Sequence, residues 1–155
     1  MSKATAAGRR RVAAGAHATQ VLIAGDAEGD VLLLTEPLSF WGGVDEASGR
    51  IIDVHHPQRG ATVAGRVLVM PSGRGSSSSS SVLAELIRAG FGPCAVLLGE
   101  RDPIIALGAA VAESLYGRTV PVAVLSRGAY ARATAGSRVR VRPSGEIVVQ
   151  ARAQT

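Results

Sequence analysis

Short apolar runs recur along the chain with turn residues between them. The runs of strand length are rich in Val, Leu and Ile and occupy residues 21–24, 31–35, 51–54, 63–70, 95–98 and 120–125. Two other segments, 82–90 and 103–115, place their apolar residues at helical spacing. Strands and helices that alternate at this length predict βαβ units, a parallel sheet and an α/β fold.

The two ends of the chain show different patterns. Residues 1–18 are rich in Ala, Gly and Arg, lack periodicity and are predicted to be a disordered basic extension. Residues 138–142 alternate Arg with Val, and a Pro-Ser-Gly turn separates them from the apolar segment 146–150, which predicts a β-hairpin. We therefore expect one domain over residues 19–150 and a short tail at 151–155.

Two connecting segments stand out from this pattern. The polar stretch 26–30 is predicted to be a turn between the first two strands. Residues 37–45 have neither strand alternation nor helical spacing, so they are predicted to be an ordered loop. The adjacent aromatic residues of this loop, Phe40 and Trp41, are expected either to fix it to the core or to contact a partner or substrate.

The composition is that of a folded domain without a membrane span. The chain has 155 residues, of which 46% are hydrophobic and 3% aromatic, so its core is expected to consist of Val, Leu, Ile and Ala. Its single cysteine, Cys94, allows no internal disulfide. The sequence shows neither a secretory signal nor a run of 18 apolar residues. We therefore expect a cytoplasmic protein that does not enter the membrane.

The positive charge is concentrated at the ends of the chain. The net charge is +5, yet residues 19–117 hold six basic and eleven acidic groups. Residues 1–18 carry four basic groups, and residues 118–155 carry seven with one acidic group. Because no aromatic residues are interleaved with the arginines, the pattern is not that of a nucleic-acid binding face. We expect no nucleic-acid partner.

Six consecutive serines, Ser76–Ser81, connect a glycine-rich turn to the helix predicted at 82–90. A serine run in isolation is typical of a flexible linker, but this run is enclosed between a strand and a helix. Serine is a weaker helix former than alanine by about 0.5 kcal/mol, and one serine suffices to cap a helix. The surplus of hydroxyl groups therefore predicts a functional role.

The turn before this helix has the features of an anion site. Gly73 and Gly75 allow a ligand to approach the backbone closely, and the helix start offers unpaired N–H groups and the positive end of the helix dipole. Arg74 adds a positive charge between the two glycines. These features predict binding of a carboxylate or phosphate, while the absence of a Walker or dinucleotide motif disfavours a nucleotide.

Several motifs occur in a fixed order from residue 37 to residue 76. They are Pro-Leu-Ser-Phe-Trp-Gly-Gly-Val-Asp at 37–45, Gly-Arg-Ile-Ile-Asp at 49–53, His-Pro at 56–57, Gly65 and Pro-Ser-Gly-Arg-Gly-Ser at 71–76. Together they resemble the small subunit, or swivelling domain, of the aconitase X family over roughly residues 19–127. The resemblance implies an α/β fold of the three-layer β/β/α swivelling type that docks on a larger subunit.

The resemblance also implies a catalytic residue. In the aconitase superfamily, a serine of a Gly-Ser-Ser turn removes a proton from carbon during a reversible dehydration, and the first serine after Gly75 is Ser76. A serine hydroxyl is a poor base at neutral pH, so its alkoxide needs preorganised N–H donors and a nearby cation. The residues expected to bind substrate and support Ser76 are Arg74, Gly75, Ser77 and Ser78.

The same resemblance implies a cofactor outside this chain. A departing hydroxyl group needs a Lewis acid, and an iron-sulfur cluster needs about three or four cysteine ligands. Since Cys94 is the only cysteine, we expect this chain alone to bind no cofactor. The iron-sulfur cluster is expected in an aconitase X-type large catalytic subunit, which together with this chain acts on a small-molecule hydroxy acid.

Two substrates are open within the family. They are cis-3-hydroxy-L-proline and mevalonate 5-phosphate, the second being typical of archaeal members. The sequence contains one lysine and many Ala, Gly and Arg residues, unlike the lysine- and glutamate-rich surface of a hyperthermophile. This composition favours a bacterial enzyme that acts on hydroxyproline.

Two functions other than that of an aconitase X dehydratase subunit are also compatible with the sequence. The first is a non-catalytic anion-binding module that uses the turn at 73–78 without chemistry, and co-purification with a large cysteine-bearing partner would discriminate it from the enzyme. The second is the small subunit of an isopropylmalate isomerase-like enzyme. In that family Arg-Glu usually follows the paired serines, whereas Ser78 and Ser79 stand here.

Four further residues receive structural interpretations. His55 and His56 are adjacent, so a strand would direct their rings to opposite faces and no shared metal ion is expected. Cys94 precedes a buried strand and is expected to be a core residue. Asp102 precedes Pro103 and is expected to be the N-cap of the second helix.

Overall fold

Seven strands and four helices follow one another along residues 15–151, the part of the chain that the computed structural model describes. The strands are β1 (Ala16–Ile23), β2 (Ala27–Leu33), β3 (Val67–Met70), β4 (Ala95–Leu98), β5 (Val122–Leu125), β6 (Gly136–Val141) and β7 (Glu146–Ala151). The helices are α1 (Phe40–Gly43), α2 (Ser79–Ala89), α3 (Pro103–Tyr116) and α4 (Arg127–Ala135). No helix within these residues has the length and hydropathy needed to cross a bilayer.

The strands form a closed barrel in the order β1-β5-β4-β3-β2-β6-β7. The pairs β2-β3, β3-β4 and β4-β5 are parallel. The remaining pairs, which join β6, β7 and β1 into the barrel, are antiparallel. The parallel half therefore holds the βαβ units, and the antiparallel half closes the barrel behind it.

Two apolar cores lie on opposite faces of the parallel strands. Leu68 and Met70 of β3 belong to the core under the outer helices, while Val67 and Val69 belong to the core inside the barrel. All four side chains are fully buried. Because both faces of the strand are covered, β3 is apolar at every position, as is typical of a parallel sheet.

The helices occupy two positions around the barrel. α2 and α3 pack side by side on the outer face, where a Cβ at Gly108 would lie 2.9 Å from the carbonyl oxygen of Ser80. α4 instead contributes Ala129 and Ala133 to the core inside the barrel. The three longer helices thus cover one outer face and complete the barrel interior.

The structure confirms the α/β class and the principal elements. The helices predicted at 82–90 and 103–115 correspond to α2 and α3, and the predicted hairpin is the pair β6-β7. The loop at 37–45 is ordered, although Phe40–Gly43 forms a single irregular helical turn. Asp102 is the N-cap of α3, as predicted.

The predicted turn at 26–30 is wrong, because residues 27–30 belong to β2. The acidic side chains of residues 26–30 pair with arginines of β6. Arg138 contacts Glu28 and Asp30 at 3.1 Å each, and Arg140 contacts Asp26 at 3.1 Å. Glu28 and Asp30 therefore form a polar face of β2 opposite a basic strand, and Asp26 continues this pairing directly before β2.

Other boundaries also differ from the predictions. Residues 51–54 form no strand, since only isolated bridges occur at Arg50 and Ile51. The strand predicted at 63–70 is shortened to β3, and α4 was not predicted. β1 begins at Ala16, which shows that residues 16–18 are not disordered, and β7 extends to Ala151. The rest of the predicted basic extension and tail lies outside the described residues.

Candidate active site

The predicted site lies where the parallel strands end. β2, β3 and β4 run in the same direction, so their carboxyl ends meet at one edge of the sheet. The segments that follow them are 34–39, 71–78 and 99–102, and each contributes to a single cavity. In both open sheets and barrels with parallel strands, ligands commonly bind at the carboxyl ends of the strands.

The turn that follows β3 is held on both sides by backbone hydrogen bonds. The N–H of Gly73 donates to Oδ2 of Asp102 at 2.9 Å, and the N–H of Arg74 donates to the carbonyl oxygen of Leu38 at 3.1 Å. Gly75 has a φ of 91°, a conformation that favours glycine. The turn therefore has one defined conformation as it enters the serine run.

Ser76 lies at the junction between this turn and α2. Its carbonyl oxygen accepts the N–H of Ser79 at 3.0 Å, and its Oγ accepts the N–H of Ser78 at 3.1 Å. The side chain is nevertheless exposed to solvent. Within residues 15–151, the N–H groups of Gly75, Ser76 and Ser77 have no protein acceptor. The start of α2 thus presents the exposed hydroxyl of Ser76 beside backbone donors that have no acceptor among the described residues.

The serines of the run differ in their contacts. Ser79 and Ser80 are buried. The Oγ of Ser79 accepts the N–H of Trp41 at 3.1 Å, and the Oγ of Ser80 donates to the carbonyl oxygen of Ile104 at 2.9 Å. These two hydroxyls join α2 to its neighbours, so part of the surplus of serines is structural. Ser77 and Ser78 are exposed beside Ser76.

A cavity of about 70 Å³ opens beside the turn. Its walls are Leu38, Gly73, Arg74, Gly75, Ser79, Asp102, Ile104 and Ile105. Typical pockets for small ligands measure about 300–1,000 Å³, so this cavity alone does not enclose an organic substrate. Arg74 is exposed and forms no ion pair with the described acidic residues. Its charge remains available to an anion at the cavity mouth.

Several of these residues were not predicted from the sequence as parts of the site. Leu38 lines the cavity, and Ser39 approaches Ser79 with 3.4 Å between their Oγ atoms. Asp102 was predicted only as a helix cap, yet it also holds the turn at Gly73. The signal for Asp102 was its position before a proline at a helix start, which does not reveal contacts distant in sequence.

The two aromatic residues of the loop separate in the structure. Phe40 is fully buried in the core under the helices, whereas Trp41 is 59% exposed. The backbone N–H of Trp41 donates to the Oγ of Ser79, a cavity residue. Phe40 therefore fixes the loop to the core, and the Trp41 side chain faces solvent.

The described residues do not form a site for a metal or an iron-sulfur cluster. No group of three or more His, Cys, Asp or Glu side chains lies close enough together between residues 15 and 151 to hold a metal ion. The ring of His56 is buried, and both of its nitrogens form hydrogen bonds. Nε2 contacts the carbonyl oxygen of Glu36 and Nδ1 accepts the N–H of Gln58, each at 3.1 Å. Cys94 packs against the barrel core, and burial raises the pKa of its thiol, which disfavours the thiolate that a cluster needs.

Comparison with known proteins identifies relatives of both substrate types. The chain is 54% identical over 106 residues to the cis-3-hydroxy-L-proline dehydratase of Pseudomonas aeruginosa. The aligned segment covers 68% of this chain and 18% of that protein. It is 36% identical over 126 residues to the phosphomevalonate dehydratase small subunit of Thermococcus kodakarensis. This alignment covers 81% of this chain and 95% of that subunit. The chain thus spans less than a fifth of the Pseudomonas protein and nearly all of the archaeal subunit.

A solved structure and a family model agree with these relatives. The crystal structure of aconitase X from Thermococcus kodakaraensis in its holo-form superimposes with a TM-score of 0.76 at 31% identity, over 88% of this chain and 98% of that one. Residues 16–150 match the family model of the aconitase X swivel domain. Both the sequence and the fold show that the chain belongs to the aconitase X swivel domain family.

Proposed function

We propose that the chain is the swivelling small subunit of an aconitase X-type hydro-lyase and that it supplies Ser76 as the base in the dehydration of cis-3-hydroxy-L-proline. The proposal is supported above all by the exposed hydroxyl of Ser76, which lies beside free N–H groups at the start of α2. Arg74, which forms no ion pair with the acidic residues of the described part of the chain, lies two residues earlier in the same turn. These are the groups that a carbon acid with a carboxylate requires.

A large catalytic subunit is part of this proposal. The cavity of about 70 Å³ is too small for the substrate, so a second surface has to complete the pocket over the turn. That subunit also has to carry the iron-sulfur cluster, whose Lewis acidity would assist departure of the hydroxyl group. We further propose a cytoplasmic heterodimer in which the two halves of the barrel and the α2–α3 layer form the three layers of the β/β/α type.

Within the complex, the residues of this chain would act on the substrate carboxylate and the adjacent carbon. Arg74 and the N–H groups of Gly75 and Ser77 would hold the carboxylate, while Ser78 would contribute a hydroxyl at the pocket rim. The Oγ of Ser76, acting as its alkoxide, would take the proton from the carbon next to the carboxylate and become a hydroxyl group. The electron pair of that C–H bond forms the new C=C bond as the hydroxyl group leaves from the neighbouring carbon.

The alkoxide of Ser76 has to be stabilised by hydrogen-bond donors and by the helix dipole. Its Oγ already accepts the N–H of Ser78 at 3.1 Å, and the helix dipole of α2 favours negative charge at this position. Closing the pocket with a second subunit would exclude water and strengthen both interactions. The pocket is therefore expected to become catalytic only in the complex.

The relatives favour hydroxyproline over the phosphorylated substrate. The dehydratase named for cis-3-hydroxy-L-proline has the higher identity of the two relatives described above. Mevalonate 5-phosphate remains the second candidate, because the archaeal small subunit matches this chain along nearly its whole length. Arg74 and the free N–H groups suit either a carboxylate or a phosphate.

The decisive experiment compares Ser76→Ala with Ser81→Ala in a complex reconstituted with the large subunit. Both serines are exposed and neither lines the cavity, but Ser76 follows Gly75 in the turn, whereas Ser81 lies inside α2. We expect Ser76→Ala to lower kcat for cis-3-hydroxy-L-proline by about 10³-fold or more while the complex still forms. Ser81→Ala is expected to retain wild-type turnover.

Assaying both substrates separates the remaining interpretations. Turnover of mevalonate 5-phosphate alone would replace the proposed substrate. Anion binding without turnover of either substrate would favour a non-catalytic module. Near-normal turnover by Ser76→Ala would remove Ser76 from the mechanism.

A further inference from the structure

Asp102 makes more contacts than its role as a helix cap requires. Its Oδ1 accepts the N–H groups of Ile104 at 2.9 Å and Ile105 at 3.1 Å, which caps α3. Its Oδ2 accepts the N–H of Gly73 at 2.9 Å, in the turn that follows β3. One carboxylate therefore joins the start of α3 to the turn that leads into Ser76.

We propose that Asp102 is a positioning residue for Ser76. Gly73 precedes Ser76 by three residues, so the hydrogen bond to Asp102 fixes the backbone from which the Ser76 hydroxyl projects. The N–H of Arg74 is held from the other side by the carbonyl oxygen of Leu38. Two successive backbone groups are thus fixed in opposite directions, and loss of either contact frees the turn to shift.

The packing at Gly73 shows how closely the turn and Asp102 fit. A Cβ added at Gly73 would overlap Oδ2 of Asp102 and would lie 3.3 Å from Cγ1 of Ile105. Asp102 is half-buried and forms part of the cavity wall. The hydrogen bond to Gly73 is therefore partly shielded from water, where it resists exchange better than an exposed one.

Capping alone does not explain a carboxylate at this position. α4 is capped by a single hydroxyl, because the Oγ of Ser126 accepts the N–H of Ala129 at 3.2 Å. A serine at residue 102 would likewise cap α3, but its one oxygen could not also reach Gly73. An asparagine would keep the shape of Asp102 with only one acceptor oxygen. Asp102→Ser and Asp102→Asn therefore separate the cap from the contact with the turn.

The first test measures amide hydrogen exchange of the full chain by NMR. In Asp102→Ser, we expect the N–H of Gly73 to exchange about tenfold faster or more than in the wild type. Ser126→Ala removes a cap elsewhere and is expected to leave the exchange of Gly73 unchanged. Unchanged exchange at Gly73 in both Asp102 variants would show that Asp102 does not hold the turn.

The second test measures steady-state kinetics of the reconstituted complex, and it rests on the proposed function. We expect Asp102→Ser and Asp102→Asn to lower kcat for cis-3-hydroxy-L-proline by about 10- to 100-fold, with a smaller change in KM, because a displacement of the base slows the chemical step. Ser126→Ala is expected to keep the wild-type kcat, which separates displacement of the turn from a general loss of stability.

The outcomes distinguish the two proposals. Normal turnover by the wild-type complex together with undiminished kcat in both Asp102 variants would overturn the positioning role and leave the proposed function intact. An equal loss in Ser126→Ala would also overturn it. A wild-type complex that turns over neither substrate would instead refute the proposed function.

Discussion

Single hydroxyls within one run of serines have different environments. Ser76 is exposed at the end of the turn, whereas Ser79 and Ser80 are buried and bonded to backbone groups of other segments. The sequence located the run correctly at the start of α2. It could not assign the individual serines, because the partner atoms come from Trp41 and Ile104, which lie far away along the chain.

This difference predicts opposite effects of two alanine substitutions. Ser79→Ala removes the acceptor for the N–H of Trp41 in a partly buried place and is expected to lower the free energy of unfolding by about 1 kcal/mol. Ser81→Ala replaces an exposed serine in the helix and is expected to raise it by about 0.5 kcal/mol. Chemical denaturation of the two variants checks both. Equal effects would contradict the buried role of Ser79.

At the scale of the elements, predictability depended on how much apolar surface each element buries. α2 buries Leu83, Leu86 and Ile87 on one face, so its spacing was visible in the sequence. α4 buries only the small residues Ala129 and Ala133 and left no such pattern. β2 was partly missed because its acidic face is neutralised by arginines of β6, a pairing that exists only in the folded barrel.

Two helical glycines, one at the contact between α2 and α3 and one in open space, give a matched test of how closely these helices pack. Gly108 lies where α3 crosses α2, and a Cβ there would lie 3.1 Å from the Cβ of Leu83. Gly108→Ala is therefore expected to destabilise the protein by about 1 kcal/mol, since the steric cost exceeds the gain in helix propensity. Gly128 in α4 has open space around it, so Gly128→Ala is expected to stabilise by about 0.5 kcal/mol. Thermal unfolding measures both variants, and a stabilising Gly108→Ala would contradict the close crossing.

At the scale of the whole molecule, exposed ion pairs link β6 to β2 and to Asp26, the residue directly before β2. The hydrogen bond with the Arg140 guanidinium holds the pKa of Asp26 below its ordinary range. Since the folded pKa is lower than the unfolded one, this contribution is present above about pH 4 and is lost as the pH falls through the folded value. Acid should therefore lower the stability of the fold slightly through this exposed pair.

A pH series of denaturation curves tests this expectation. Asp26→Asn is expected to reduce the loss of stability between about pH 5 and pH 2 relative to the wild type. Glu113→Gln is the control, because Glu113 is exposed on α3 and takes no part in the ion pairs among residues 15–151. An unchanged acid dependence in Asp26→Asn would show that the pair with Arg140 contributes nothing to it.

Closure of the barrel limits the ways in which another protein can bind this domain. Each of the seven strands in the described region has a hydrogen-bonded neighbour on both sides, so strand addition could reach only the stretches that these pairs leave uncovered, such as residues 148–151 of β7 on its β1 side. The proposed large subunit is therefore expected to contact this domain mainly through loops and side chains. Such a contact would have no fixed hydrogen-bond register, and it would let the domain pivot against the proposed subunit while its own sheet stays intact.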